Sequence, residues 1–513
     1  MKRSSGVLMH ISSLANDYGI GSFGKEAYEF VDFLVETGQS YWQILPLTTT
    51  SYGDSPYASY SAFAGNSDFI NLEILVESNH LDKKDIEAIN FGDQEDKVDY
   101  GQVQKERRPL LEKAVKRFIK EEGLKDSDYL KFMHSNKDWL VAFSQFMVLK
   151  EKFNQAPWFE WPEEYRFFMS ENVNVYLKNK EDRLNYYNIS QYWFYKQWHQ
   201  LKEYANQQGI SIIGDIPIYI AYDSVELWQT PEMFKVDENN VPTAVSGTPP
   251  DGFSDEGQYW GNPIYDWEKM EENNFEWWKN RIKQNLSLYD FVRLDHFRGF
   301  EAYWEIPFGA ESAKEGKWVK GPDKKLFKAL KEELGEMNLI AEDLGYITKE
   351  VEELLDYTGY PGMKILQHAF NAENDSEHMP HNYTKDTIAY VGTHDNETAY
   401  GWYLDSTNQA QRDQLDQYLN RKAGEPIADA LNRGIAASVS NLAIYTMQDL
   451  LGLGNEARMN RPSTIGNNWD WRMKKDDLRI DLKEKLLSWT ECYYRINEKE
   501  SSPNKELKGE IDV

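Results

Sequence analysis

Phe291-Val292-Arg293-Leu294-Asp295-His296-Phe297-Arg298-Gly299 is the stretch from which the fold can be read. The apolar run over residues 289–294 predicts a buried strand. Side chains two apart in a strand point to one face, so Arg293 and Asp295 share that face. Burying two charges is costly unless they are matched, and apolar residues can often replace a structural pair without loss. A charged pair ending a hydrophobic strand therefore points to chemistry, with a structural ion pair as the alternative that this stretch alone leaves open.

Similar apolar runs closed by polar or glycine-rich residues occur at 6–11, 41–45, 210–214, 339–341, 364–367, 387–391 and 442–446, making eight strands with 291–294. Helical patterns at 324–334 and 349–357 flank the fifth strand, which is the alternation of a parallel α/β sheet. The predicted fold is a (β/α)8 TIM barrel with large inserted subdomains. Residues 48–209 and 219–288 are too long for simple crossovers and are expected to carry structure of their own, the first helical and lid-like from about residue 83 to 183. Residues 1–496 read as one catalytic unit, and 497–513 as a charged, frayed tail.

Composition narrows the partners. The net charge of −28 repels nucleic-acid phosphates and anionic membranes. No apolar run approaches the ~18 residues of a membrane span, which implies a soluble chain. A single cysteine, Cys492, excludes an internal disulfide framework and fits a reducing cytoplasm. A neutral, hydroxyl-rich ligand escapes the charge penalty, and 17 Trp with 32 Tyr offer flat faces suited to sugar rings, although most aromatics of a large protein are core.

In a parallel barrel the functional groups sit at the carboxyl ends of the strands. Here those ends read Gly214-Asp215-Ile216-Pro217, Arg293-Leu294-Asp295-His296, Ala341-Glu342-Asp343-Leu344 and Thr393-His394-Asp395-Asn396. Each acid alone could be a turn or helix-capping residue. Together they would face one mouth, an arrangement that forces like charges together and that stability does not explain. A metal site is one use for such acids, but His10 is followed by Ile11 and Ser12 rather than by a second histidine, and His394 and Asp395 are neighbours that an extended chain points apart. No metal or cofactor is expected. Glycosidic-bond chemistry fits better, since it needs two carboxylates in different protonation states: Asp295 beside Arg293 as the ionised nucleophile, and Glu342 on the next strand as the protonated acid. Asp343 should point to the other side of its strand and be structural or helix-capping. The Pro- and Gly-rich stretch 248–263, with Phe253 and Trp260, reads as an irregular binding loop over the mouth or as a solvent loop pinned by its aromatics.

These residues carry a resemblance. Val-Arg-Leu-Asp-His, Ala-Glu-Asp-Leu-Gly and Thr-His-Asp-Asn are similar to the catalytic segments of the α-amylase superfamily. More narrowly, the chain resembles the 4-α-glucanotransferases, also called amylomaltases or disproportionating enzymes. The narrower match includes Gly53-Asp54-Ser55-Pro56-Tyr57, Gly214-Asp215-Ile216-Pro217, Pro249-Pro250-Asp251-Gly252-Phe253-Ser254, Trp260-Gly261-Asn262-Pro263, Arg458-Met459-Asn460 and Gly466-Asn467-Asn468-Trp469. The resemblance implies retaining transfer of α-1,4-glucan segments from a glucan donor to glucose or a maltooligosaccharide, through a covalent intermediate. It implies Asp295 as nucleophile, Glu342 as acid/base and Asp395 as the carboxylate steadying the distorted sugar. Tyr57, Asp215, Arg293 and His394 match positions around that sugar, and Ser55, Asp251, Phe253, Trp260 and Asn468 match positions along the bound chain. Tyr52 and Tyr100 match aromatics of a second glucan site in some members. An α-glucan hydrolase would use the same three acids, and a sugar-binding protein without activity should lack at least one of them; the sequence leaves the oligomeric state open.

Overall fold

The computed structural model describes residues 2–51, 53–250, 255–370 and 375–497. Among these residues the strands are β1 (Ser4–Leu8), β2 (Tyr41–Gln43), β3 (Ser211–Ile216), β4 (Ala244–Thr248), β5 (Gln258–Pro263), β6 (Phe291–Leu294), β7 (Ala302–Pro307), β8 (Lys317–Lys320), β9 (Leu339–Ala341), β10 (Gly362–Ile365), β11 (Thr387–Tyr390) and β12 (Leu442–Thr446). Eight form one sheet in the order β10-β11-β12-β1-β2-β3-β6-β9, and every pairing in it is parallel. These are the eight strands expected from the sequence, with ends displaced by a few residues. The sixth, expected at 364–367, pairs at Gly362–Ile365, because Leu366–Ala369 turn into a 3-10 helix. An apolar run marks burial, not the residues that find a partner strand.

The terminal strands of the order meet. Ala341 N donates to Pro361 O at 3.0 Å, and Met363 N donates to Asp343 Oδ1 at 2.6 Å. Asp343 is thus the structural residue expected of it, riveting the seam between β9 and β10. Gly362 is required there: a Cβ would lie 2.3 Å from Asp343 Oδ2.

Period-two alternation fills the barrel and also builds its mouth. Leu8, Ile213, Ile340, Ile365, Ile388 and Leu442 pack together inside the sheet with Phe291 against them. Two residues further along their strands, the same inward face continues as Asp215 after Ile213, Arg293 after Phe291, and Glu342 after Ile340. The lower layer is apolar and the upper layer charged because one face of each strand changes character along its length.

The 44–210 connection is largely helical, with long helices at Tyr100–Lys120, Lys137–Lys152 and Glu181–Gln207, as expected for the first insertion. The other large connections differ from expectation. Residues 258–263, read as irregular, form β5, and the 295–338 connection, for which the sequence suggested only the helix at 324–334, contributes β7 and β8. Together they make an antiparallel sheet ordered β5-β4-β7-β8. Two of its pairings, β4–β5 and β7–β8, are hairpins within one connection, but the β4–β7 pairing that makes them one sheet joins two different loops and leaves no mark on the local composition of either. The β4–β5 ladder shifts register between Val245 and Gly247, and glycine is required at Gly247 because a Cβ there would lie 2.2 Å from Gln258 O. Asn497 is tied to the barrel: its N donates to Gly38 O at 2.9 Å and its side-chain amide to Gly209 O at 2.8 Å. Residues 498–513 lie outside the described residues.

Candidate active site

Arg293 organises the mouth. Register sets Asp215 of β3 beside Arg293 of β6, and Arg293 Nη1 donates to Asp215 Oδ1 and Oδ2 at 2.9 and 2.8 Å and to Asp295 Oδ1 at 2.9 Å. Burial works against the guanidinium charge, but Asp215 and then Asp295 hold it ionised, well above its usual range. One cation therefore joins a carboxylate with no exposed side-chain surface, Asp215, to one that is 28% exposed, Asp295. The first matches a buried charge; the second presents an oxygen to the cleft.

The chain turns sharply after Asp295. His296 has φ of +48°, a left-handed conformation uncommon for a side-chain-bearing residue. The turn accompanies donation from His296 N to Glu342 Oε2 at 2.7 Å, while Leu344 N donates to Oε1 at 3.0 Å. Burial pushes the Glu342 carboxyl up to about 8, with Arg293 opposing and Asp295 reinforcing the shift. Burial also holds His296 down at about 4, leaving a neutral ring that Trp260 of β5 meets edge to face, centroids 4.9 Å apart.

Asp395 follows β11, its side chain 43% exposed and His394 Nε2 3.5 Å from Oδ2. The chain after β12 holds it: Asn460 Nδ2 donates to Oδ1 at 2.6 Å, Arg458 Nη2 donates to the Asp395 carbonyl at 2.7 Å, and Asn460 N donates to the His394 carbonyl at 3.0 Å. Tyr57 lies across the same floor. Its hydroxyl donates to Asp215 Oδ2 at 2.8 Å, its ring stacks on His394 at 5.1 Å and 12°, and Trp469 tilts against both rings. The loop carrying Tyr57 is tied down behind: Ser61 Oγ and Ala62 N donate to the buried Glu226 Oε1 at 2.9 and 2.8 Å.

Asp215, Arg293, Asp295, Glu342, His394, Asp395 and Tyr57 are thus drawn into one cluster, with Trp260 joined to it through His296. Ser55 Oγ accepts from Tyr57 N at 3.2 Å, shaping the Tyr57 turn. Asn468 uses its amide inside its own loop, accepting from Arg461 N at 2.9 Å and donating to Thr464 O at 3.1 Å. Tyr100 stands behind Trp469, donating to its carbonyl at 2.8 Å. Asp251, Phe253 and Tyr52 lie outside the described residues. Sequence reasoning gave no role to Asn460, Arg458 or Trp469, although all three stand in quoted motifs; an uncharged amide and a tryptophan carry no spacing signal that points to a carboxylate. His10, weighed as a metal ligand, accepts from Leu45 N through Nδ1 at 3.3 Å. Among the described residues no group of three or more His, Cys, Asp or Glu is placed to hold a metal ion.

A closed parallel barrel whose strand ends gather one carboxylate paired to arginine and another kept protonated by burial defines an enzyme of acid–base and nucleophilic chemistry, of the kind that works on glycosidic bonds. More narrowly, the chain belongs to the 4-alpha-glucanotransferase family, whose profile matches residues 9–478. It is 53% identical over 498 residues to a 4-alpha-glucanotransferase of Streptococcus pneumoniae, covering 97% of this chain and 98% of the relative. It is 48% identical over 488 residues to that of Clostridium butyricum, covering 95% and 100%. The structure of an amylomaltase from Streptococcus agalactiae in complex with acarbose superposes with a TM-score of 0.94 at 47% identity, covering 96% of this chain and 100% of that one.

Proposed function

We propose that this chain is a 4-alpha-glucanotransferase working by retaining double displacement, with residues 1–496 as its catalytic unit, Asp295 as nucleophile, Glu342 as acid/base and Asp395 as the carboxylate steadying the distorted sugar. Glu342 protonates the bridging oxygen while Asp295 Oδ2, the oxygen not engaged by Arg293, attacks the anomeric carbon; the chain beyond the cleaved bond then departs. An acceptor glucan, glucose or maltooligosaccharide, enters in its place. Glu342, now ionised, takes the proton from the acceptor hydroxyl as the glycosyl ester is broken. Tyr57, Asp215, Arg293 and His394 form the floor under the reacting sugar.

The observation that carries this reading is the divergence of the two carboxyl environments. Asp295 is fixed on a guanidinium and open to the cleft, whereas burial keeps Glu342 protonated near neutrality. One group is suited to attack and the other to donate a proton. Incubation with maltotriose tests it: transfer gives longer oligosaccharides together with glucose. Shortening alone would identify a hydrolase, and an unchanged substrate would leave only a binding protein.

A further inference from the structure

Beyond the cluster around Arg293, the wall on the Glu342 side carries aromatic rings that the mechanism does not use. Tyr346 stands four residues after Glu342 with 69% of its surface exposed, and Trp318 of β8 is 38% exposed. Arg298, itself 5% exposed, holds them together. Its guanidinium lies 3.8 Å from the Trp318 ring centroid and 5.5 Å from that of Tyr346, and Nη1 donates to the Tyr346 carbonyl at 2.5 Å. Rings exposed to this extent offer flat apolar faces to a sugar, and a buried cation against both limits their freedom in advance of binding.

The position of this ledge follows from covalent geometry. Four residues span at most ~14 Å, which confines Tyr346 to the neighbourhood of the Glu342 carboxylate. Arg298 is two residues after His296, whose amide binds that carboxylate. In the displacement proposed above, Glu342 protonates the oxygen joining the reacting sugar to the departing chain, so the wall beside it faces the departing and incoming glucan rather than the sugar held over Asp295.

We propose that Trp318 and Tyr346, riveted by Arg298, form an acceptor-side subsite that stacks on glucose units beyond the first one next to Glu342. The inference rests on the acid/base role of Glu342. It predicts dependence on acceptor length. A single glucose occupies only the position against Glu342 and does not reach the ledge, whereas a maltotetraose extends onto it.

The test measures KM for glucose and for maltotetraose as acceptors, with a fixed long glucan donor, for wild type, Trp318→Ala, Tyr346→Ala and Tyr346→Phe. The expected result is a maltotetraose KM raised roughly five-fold in the alanine variants, with kcat and the glucose KM unchanged and Tyr346→Phe close to wild type. Unaltered maltotetraose KM values, or equal losses for both acceptors, would overturn the proposal. Calorimetric titration with maltoheptaose in an Asp295→Asn background separates the ledge from the chemistry. Weaker binding on adding Trp318→Ala or Tyr346→Ala supports the subsite even if the wild type transfers nothing, an outcome that would instead overturn the function proposed above; equal affinity overturns the subsite even in an active transferase.

Discussion

Asn460 Nδ2 donates to Asp395 Oδ1 at 2.6 Å across 65 residues of sequence. Asp395 is half open to the cleft, so little besides this bond and the 3.5 Å approach of His394 fixes its carboxylate. A hydrogen bond to a charged group is worth about 1.5–3 kcal/mol. Asn460→Ala should therefore lower kcat by roughly 10- to 100-fold, with little change in glucan KM or in thermal stability. Steady-state kinetics with maltotriose checks this, and a kcat within two-fold of wild type would leave Asn460 a loop residue only.

Asp295→Asn should cost at least ~10³-fold in transfer rate while glucan binding persists, because an amide cannot form the glycosyl ester. The Asp295 and Glu342 carboxyl groups should lie about 5–5.5 Å apart in a crystal structure of the enzyme, the spacing for direct attack rather than for an intervening water. A separation of ~9 Å would point to inversion instead.

The pH profile carries the sign of the Glu342 shift. A carboxyl raised to about 8 from the usual 4.5 is protonated below that value and loses the proton above it, so kcat/KM should fall on a basic limb near pH 8, and Glu342→Gln should be close to inactive. The same shift bears on stability. Between about 4.5 and 8 the folded chain holds a proton that the unfolded chain has lost, so this group's contribution declines as pH rises through that window. Chemical denaturation of wild type and Glu342→Gln at pH 5 and 8 should show the pH dependence reduced in the variant.

Trp260 shields the His296 turn and is itself half-buried, its Nε1 donating to Gln258 Oε1 at 3.0 Å. A transferase must keep water, present at ~55 M in bulk, from its covalent intermediate or place an acceptor hydroxyl at higher effective molarity. Trp260→Ala should therefore lower transfer more than hydrolysis. The measurement is the ratio of newly formed reducing ends to glucosyl units transferred at a fixed maltooligosaccharide concentration; proportional loss of both activities would make Trp260 a structural cover.

Much of the centre was legible in the chain because strand alternation is local. Once residues 291–294 were read as a strand, Arg293 and Asp295 had to share a face, and the acid-bearing ends of the other strands followed from the same period of two. The barrel order was open to the same reasoning, since parallel strands alternating with helices have few ways to bury both faces. The second sheet, the Asn460–Asp395 bond and the Arg298 rivet were not legible. Each joins segments whose own sequences carry no trace of the partner: β4 and β7 pair from different loops, and Asn460 reaches Asp395 from beyond another strand. Local patterning determined which side chains lie on the inner face of each strand. Only tertiary packing decided which neutral or distant groups fix those side chains in place, because a hydrogen bond between remote residues imposes no periodicity on the sequence of either one.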